Sequence, residues 1–372
     1  MKITELEYKM YKMPGAHIPW SMVKVHTDEG IVGIGEPVLE GRIRTIKTAV
    51  MELGDYIIGK DPRDVERLWQ LMYKGSFYRG GPVMSSAVSG VEQALWDIAG
   101  KWYGVPAYKL MGGAVRDKVR LYAHAHGAEM AKEKVALGFK ALKTGVNSPL
   151  RIIETPAMVD KYVNELAEMR EAVGNGVDIA IDLHGRFSPA MAKIYIHETE
   201  QYNPMFYEEP VLPGNDDMMA DIAHRTHIPI ATGERLYTRW DFRNIVEKRA
   251  ADILQPDVCH AGGILELRKI AAMGEVNFCG LAPHNPMGAV ALASSIQVDS
   301  ATINFLIQEH TNLGQGILKK PFEIDQDGFV AVPQGPGLGV EADEESLAQY
   351  ECDGSGHLGQ FIDRDDNSYA QW

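Results

Sequence analysis

The chain opens with strand-like patterning. Ile3–Lys12 and Ser21–Thr27 are apolar-rich stretches, and Asp28-Glu29-Gly30 is a turn signal before Ile31–Glu36. These predict an antiparallel meander. From Arg44 the period becomes helical: Ile46, Val50, Leu53 and Ile57 recur at spacings of three and four. Pro62–Tyr73 and Ser85–Tyr103 read as further helices, the second burying Ser86, Val88, Val91, Ala94, Leu95 and Ile98. Strands followed by helices, without alternation, describe an α+β unit over residues 1–115.

Residues 116–320 read differently. Short apolar strands are expected at Val119–Ala123, Lys140–Thr144, Asp178–Ile181, Met205–Tyr207, Ile228–Ala231, Asp252–Leu254, Phe278–Leu281 and Ile303–Ile307. Amphipathic helices fall between them at Ala157–Val173, Pro189–Tyr202, Met218–Thr226, Trp240–Lys248, Ile264–Gly274 and Met287–Val298. That alternation predicts an α/β fold, a TIM barrel or a modified form of one, because the last helix is indistinct. Residues 321–372 form a C-terminal segment expected to return to the first unit. Phe322-Glu323-Ile324 and Phe329-Val330-Ala331 flank a DG turn as a hairpin, and a polar tail follows from Cys352 with an acidic patch at Asp363–Asp366.

Charge narrows the function. Asp and Glu number 51 against 37 Lys and Arg, a net charge of −14 over 372 residues. No basic footprint exists for nucleic acid or an anionic membrane surface. Cys259, Cys279 and Cys352 are too few for a disulfide framework and fit a reducing compartment. No apolar run approaches the ~20 residues of a membrane span, and the start lacks a signal-peptide pattern. The expectation is a soluble cytoplasmic protein.

Some carboxylates stand at informative places. Asp182 ends the strand DIAID, Glu208 ends MFYE and Glu234 follows IPIATG, each 26 residues from the last. One β/α repeat returns a chain to the same barrel rim, so the three are expected to converge at the C-terminal mouth. Like charges so placed repel unless a cation neutralises them, and hard oxygen ligands favour Mg²⁺. The series continues with Asp257 after ILQP and His284 after GLAP. Neighbouring strands would set this carboxylate against this imidazole, fixing its tautomer and raising its basicity as a general base. His184, two residues past Asp182, is a candidate acid, and Glu309 a hydrogen-bonding group for a substrate oxygen. His124 and His126 follow the first barrel strand at the same rim. Two weaker motifs read as structure: the glycines of Gly30-x-x-Gly33-x-Gly35 as hairpin glycines, and Asp325-Gln326-Asp327-Gly328 as a turn, since Pro336 falls where a calcium loop needs an acid.

With these residues in view, the chain resembles the enolase superfamily in its mandelate racemase-like group, and is most similar there to the D-galactonate dehydratase family. The motifs are TDEGIVGIGEP, GSFYRGGPVMSS, EQALWDIAGK, KLMGGAVRDK, IDLHGR, FYEEPV, ATGERLYTRWDF, DILQPDVCHAGGI, LAPHNPMG and PGLGVE, in order to about residue 343. The resemblance implies a capping domain over a (β/α)₇β barrel and one Mg²⁺ per subunit on Asp182, Glu208 and Glu234. It implies a His284–Asp257 base dyad, His184 as the acid that protonates a departing 3-hydroxyl, and Glu309 on the enediolate. Arg235, Lys143, Trp20, His17 and Asn147 are expected substrate contacts. Racemases of the group carry Lys-x-Lys on the second barrel strand; here the run is Lys143-Thr144-Gly145, and Gly145 cannot transfer a proton. In the galactonate dehydratases that position is an Asn, and Asn147 stands nearby.

The expected activity is dehydration of a sugar acid, an aldonate such as D-galactonate or a related hexonate, to a 2-keto-3-deoxy acid. Racemisation, epimerisation or cycloisomerisation through the same enediolate is the enzymatic alternative. A non-catalytic sugar-acid-binding barrel is the alternative of another class. The resemblance also implies a homo-oligomer, octamers being common in the group.

Overall fold

Antiparallel strands β1 (Ile3–Tyr11), β2 (Trp20–Thr27) and β3 (Val32–Gly35) form a sheet in sequence order. Helices α1 (Ile43–Ile57), α2 (Val65–Lys74) and α3 (Gly81–Tyr103) follow. The computed structural model describes residues 1–356, 358–359, 362 and 366–370. α1 buries Ile46, Val50, Leu53 and Ile57, the stripe its periodicity predicts. α3 is buried continuously from Ser85 to Gly100 because it lies against the sheet on one side and α10 (Ile264–Val276) on the other. Its approach to β3 explains two glycines: a Cβ on Gly35 would sit 1.9 Å from the Gly90 carbonyl oxygen, and one on Gly33 2.2 Å from that of Ala94. Of the three glycines read as hairpin residues, only Gly30, at φ +77°, occupies the turn.

After the short α4 (Ala107–Leu110) the alternation begins. Its strands are β4 (Lys118–His124), β5 (Ala141–Gly145), β6 (Asp178–Asp182), β7 (Tyr207–Glu208), β8 (Ile230–Thr232), β9 (Ile253–Leu254), β10 (Gly280–Leu281) and β11 (Gln308–Glu309). Between them run α5 (Ala128–Ala136), α6 (Pro156–Val173), α7 (Pro189–Thr199), α8 (Asp216–Ala223), α9 (Thr238–Glu247), α10 and α11 (Ala289–Ser300). Neighbours pair in parallel from β10 back to β4, and β4 pairs with β11. A parallel bridge between Leu281 and Phe305 closes the ring. No helix follows β11 before the hairpin, which makes this a modified TIM barrel of (β/α)₇β form. Two predictions are corrected. Helix α5 was not foreseen, because AEMAKEKVA buries only Ala131 and shows little periodicity. The last strand lies at Gln308–Glu309 instead of Ile303–Ile307, because Phe305 makes only the bridge to β10 before the chain reaches β4.

The lumen is filled by one side chain in or directly beside each strand: Tyr122, Ala141, Ala180, Phe206, Ala231, Ile253, Ala282 and Ile307 pack as a cluster of their own. Small and large residues share the layer, as a closed barrel requires. β12 (Phe329–Ala331) adds antiparallel to β4, and its turn is held by Asp325, whose carboxylate accepts the N–H groups of Asp327 and Phe329. The chain then returns to the first sheet, where Tyr11 bridges Glu351 and Cys352 N donates to Met10 O. Within the acidic patch, Asp363, Arg364 and Asp365 lie outside the described residues. Among the described residues no helix is long and apolar enough to cross a membrane.

Candidate active site at the barrel mouth

Strand side chains alternate, so the residue two beyond each lumen residue faces the same axis, one level nearer the mouth. Applied to the lumen layer, this selects His124, Lys143, Asp182, Glu208, His284 and Glu309. Just past β8 the corresponding residue is Gly233, followed by Glu234; beyond β9 it is Gln255, followed two later by Asp257. Six of the residues foreseen one by one thus occupy a single ring of inward positions, while Glu234 and Asp257 follow its members past β8 and β9.

Lys143, almost fully buried, is the hub. Its ammonium lies 2.9 Å from Glu208 Oε1, 3.1 Å from Asp182 Oδ2 and 2.7 Å from Glu309 Oε1. Glu309 also accepts from His124 Nε2 at 2.8 Å and from Asn285 N at 2.8 Å. His284 Nδ1 donates to Asp257 Oδ2 at 2.7 Å, leaving Nε2 on the cavity side, 3.2 Å from Glu234 Oε2. His184 Nε2 is 3.3 Å from Asp182 Oδ2. Its backbone takes φ +50°, and Gly185 follows at φ +64°. This left-handed turn folds the residue back toward Asp182, an arrangement that costs about 1–3 kcal/mol for a non-glycine residue. Glu209, at φ +44°, is turned away from its neighbour Glu208. It accepts from Gly233 N at 3.0 Å and from Arg235 Nη2 at 2.8 Å, and so holds the Arg235 guanidinium at the rim.

The electrostatics follow from burying so many like charges. Burial and the neighbouring Asp182 push Glu208 up to about 8 despite Lys143. Burial also carries Glu234 well above the carboxylate range, against the opposing His284. Burial alone would lower His284, but Glu309, Glu234 and Asp257 outweigh it and hold it well above its usual value. His184 goes the other way: burial depresses it to about 4, with Asp182 opposing. Glu309 stays ionised, because Lys143, His284 and His124 together overcome its burial. The donor set fits a hard divalent cation. Ligand atoms of Asp182, His184 and Glu234 lie within 4.8 Å of one another, and Glu234 Oε2 is buried without a hydrogen-bond partner among the described residues. Glu208 stands outside that group, held by Lys143.

A cavity of about 310 Å³ opens over this ring, lined among others by His124, Lys143, Asp182, His184, Glu234, Arg235, His284 and Glu309. Cavities of about 630 and 740 Å³ elsewhere carry none of these residues. Three expected substrate contacts do not line it. Trp20 is buried against Tyr11, ring centroids 5.4 Å apart, and covers Gly288. His17 is exposed. Asn147 lies in the loop past β5, donates to His126 Nδ1 at 2.9 Å and lines a separate cavity. Gly145 has a steric reason: it pairs with Asp182, and a Cβ there would sit 2.3 Å from the Asp182 carbonyl oxygen. Sequence reasoning missed His260, Glu40, Tyr237 and Leu358, which line the same cavity. A signal for His260 was available, three residues past Asp257 in PDVCHAGG.

Comparison with known proteins accords with this geometry. Residues 15–112 match the mandelate racemase / muconate lactonizing enzyme N-terminal domain, and residues 126–346 the enolase C-terminal domain-like family. The chain belongs to the enolase superfamily, in its mandelate racemase group. Among curated relatives it is 45% identical, over the full length of both chains, to a D-galactonate dehydratase of Ralstonia pickettii (strain 12J). Among solved structures, an enolase from Agrobacterium radiobacter, provisionally described as a galactarate dehydratase and bound to sodium and L-malate, superposes with TM-score 0.92 at 32% identity over all of both chains. A member of the enolase superfamily from Salmonella Typhimurium superposes with TM-score 0.88 at 30% identity, covering 94% of this chain and 98% of that one.

Proposed function

We propose that this chain is a Mg²⁺-dependent hydro-lyase that converts an acid sugar, an aldonate such as D-galactonate or a related hexonate, to a 2-keto-3-deoxy acid. The observation that carries the reading is that His284, oriented by Asp257, and His184 line one cavity together with the strand-end carboxylates Asp182, Glu234 and Glu309. Asp182, Glu208 and Glu234 would hold Mg²⁺, which when bound supplies Lewis-acid stabilisation of the developing enediolate; assignment of a His or Lys base with Mg²⁺ to this superfamily is general knowledge of its chemistry.

In this reading His284 removes the C2 proton. Asp257 fixes its tautomer through Nδ1 and stabilises the imidazolium that forms. Electron density from the C2–H bond then expels the C3 hydroxyl, and His184 supplies the proton that lets it leave as water. The enol product tautomerises to the keto acid. Lys143 contributes positive charge beside the substrate oxygens. Glu309, ionised, orients Lys143 and His124, and would donate to an enediolate oxygen only after taking a proton itself. Residues 1–115 serve as the cap, 116–320 as the catalytic barrel and 321–372 as the segment returning to the cap. We further propose a cytoplasmic homo-oligomer, testable by light scattering on the purified protein.

The test is a panel of acid sugars with purified enzyme and Mg²⁺, scored for keto-acid formation, with the products examined in D₂O. Net loss of water from an aldonate is the expected result. Stereoinversion with deuterium uptake and no keto acid would instead favour the racemase reading. Inertness toward every acid would favour a binding barrel.

A further inference from the structure

The cavity has a second polar group apart from the metal-ligating carboxylates. His260, on the loop after β9, is 5% exposed, and its Nδ1 lies 2.8 Å from Ser86 Oγ on α3. Ser86 has one hydroxyl proton, and Oγ also lies 2.7 Å from the Pro82 carbonyl oxygen, which can only accept. Both contacts are satisfied when Ser86 donates to Pro82 and His260 donates to Ser86. In the neutral imidazole that assignment puts the proton on Nδ1 and leaves Nε2 as an acceptor. Nε2 faces Glu40 Oε2 at 3.6 Å, too far for a hydrogen bond between them. His260 and Glu40 therefore offer two acceptors at the wall of the substrate cavity, flanked by Leu39, Leu358 and Tyr237. The guanidinium in the same cavity, Arg235, is already compensated by Glu209 and Glu234.

A pair of acceptors takes O–H donors and rejects anions. The deep carboxylate ring, with the cation it would hold, would take the substrate carboxylate, so the chain's other end would meet His260 and Glu40. We propose that His260, oriented by Ser86, and Glu40 bind the terminal hydroxyls of the acid sugar, and that this pair makes the enzyme select monocarboxylic aldonates over dicarboxylic aldarates. This rests on the acid-sugar reading above and deepens it. A second carboxylate at that end would face Glu40 with no uncompensated Lys or Arg among the described residues lining the cavity, a juxtaposition that costs several kcal/mol.

The test compares kcat/KM for a six-carbon aldonate and the aldarate of matching stereochemistry, in the wild type, Glu40→Gln and His260→Gln, with melting temperatures recorded to verify folding. The wild type should favour the aldonate by roughly 100-fold, since like-charge juxtaposition costs several kcal/mol. Each variant should narrow that ratio by about tenfold, because an amide N–H replaces an acceptor and admits a carboxylate. The loss on the aldonate should fall mainly on KM. A wild type that handles both acids equally, or a ratio unchanged in both variants, overturns the proposal. If the wild type dehydrates neither acid, the acid-sugar reading falls separately; calorimetric affinities for the same two acids then decide the discrimination alone.

Discussion

At the scale of single residues, the site is a problem of proton ownership. His284 is useful as a base only if Nε2 presents a lone pair, and the 2.7 Å contact from Nδ1 to Asp257 secures that orientation. We predict that His284→Asn lowers kcat by about 10²–10⁴, the usual contribution of a positioned base, while Mg²⁺ binding measured by calorimetry survives. Asp257→Asn should lower kcat by up to about 10⁴, as in other orienting carboxylate-to-amide changes, because its amide N–H would push the imidazole into the wrong tautomer. Near-wild-type turnover in either variant would remove the dyad from the mechanism. Lys143 presents a different case. Lys143→Met removes the buried cation that Asp182, Glu208 and Glu309 share, and breaking a buried ion-pair cluster should cost roughly 3–5 kcal/mol in urea unfolding. Saturating Mg²⁺ should recover part of that loss, and an unchanged unfolding midpoint would show that the lysine is not the electrostatic hub.

At the scale of elements, buried carboxylates of the N-terminal unit bind the ends of barrel helices. Glu36, just past β3, accepts from Gly288 N and from Ala291 N, the latter at 2.8 Å, at the start of α11. Glu92 of α3 accepts from Ile264 N at 2.8 Å and Leu265 N at 2.9 Å, at the start of α10. Helix N-termini carry unsatisfied N–H groups and partial positive charge, so each contact satisfies donors and ties the two units together. Burial nevertheless dominates at Glu92, raising it to about 8 against these two backbone N–H groups and the Trp96 indole N–H. The folded protein therefore holds a proton there that the unfolded chain, near 4.5, has released. The linked stability is full below about 4.5 and declines as pH rises toward about 8. We expect Glu92→Gln to flatten the pH dependence of the urea midpoint between those limits by about one proton's worth of slope. An identical slope in both proteins would mean that Glu92 is ionised in the fold.

At the scale of the whole molecule, the net charge of −14 says little about the site. Removing divalent metal with EDTA should lower the melting temperature, and adding Mg²⁺ to about 100 times its Kd should restore roughly 2.7 kcal/mol; a melting curve indifferent to both would argue against a bound metal. Much of this was legible in the sequence. The β/α period, the strand-end acids at Asp182, Glu208 and Glu234, and the following Asp257 and His284 all lie one repeat apart, and a closed parallel barrel converts that spacing into proximity. Local pattern also determined the first sheet and α1, because burial on one face leaves a readable period. What only the tertiary structure decided concerns contacts between distant segments. Gly33 and Gly35 look like turn residues until α3 is laid on β3, and Trp20 looks like a pocket residue until Tyr11 covers it. His260 gains its role from Ser86, 174 positions away, and Leu358 reaches the cavity from the tail. Sequence spacing reports what one repeating element does with its own side chains. Which side chains of separate elements share a cavity is set by packing between them, and no local period records it.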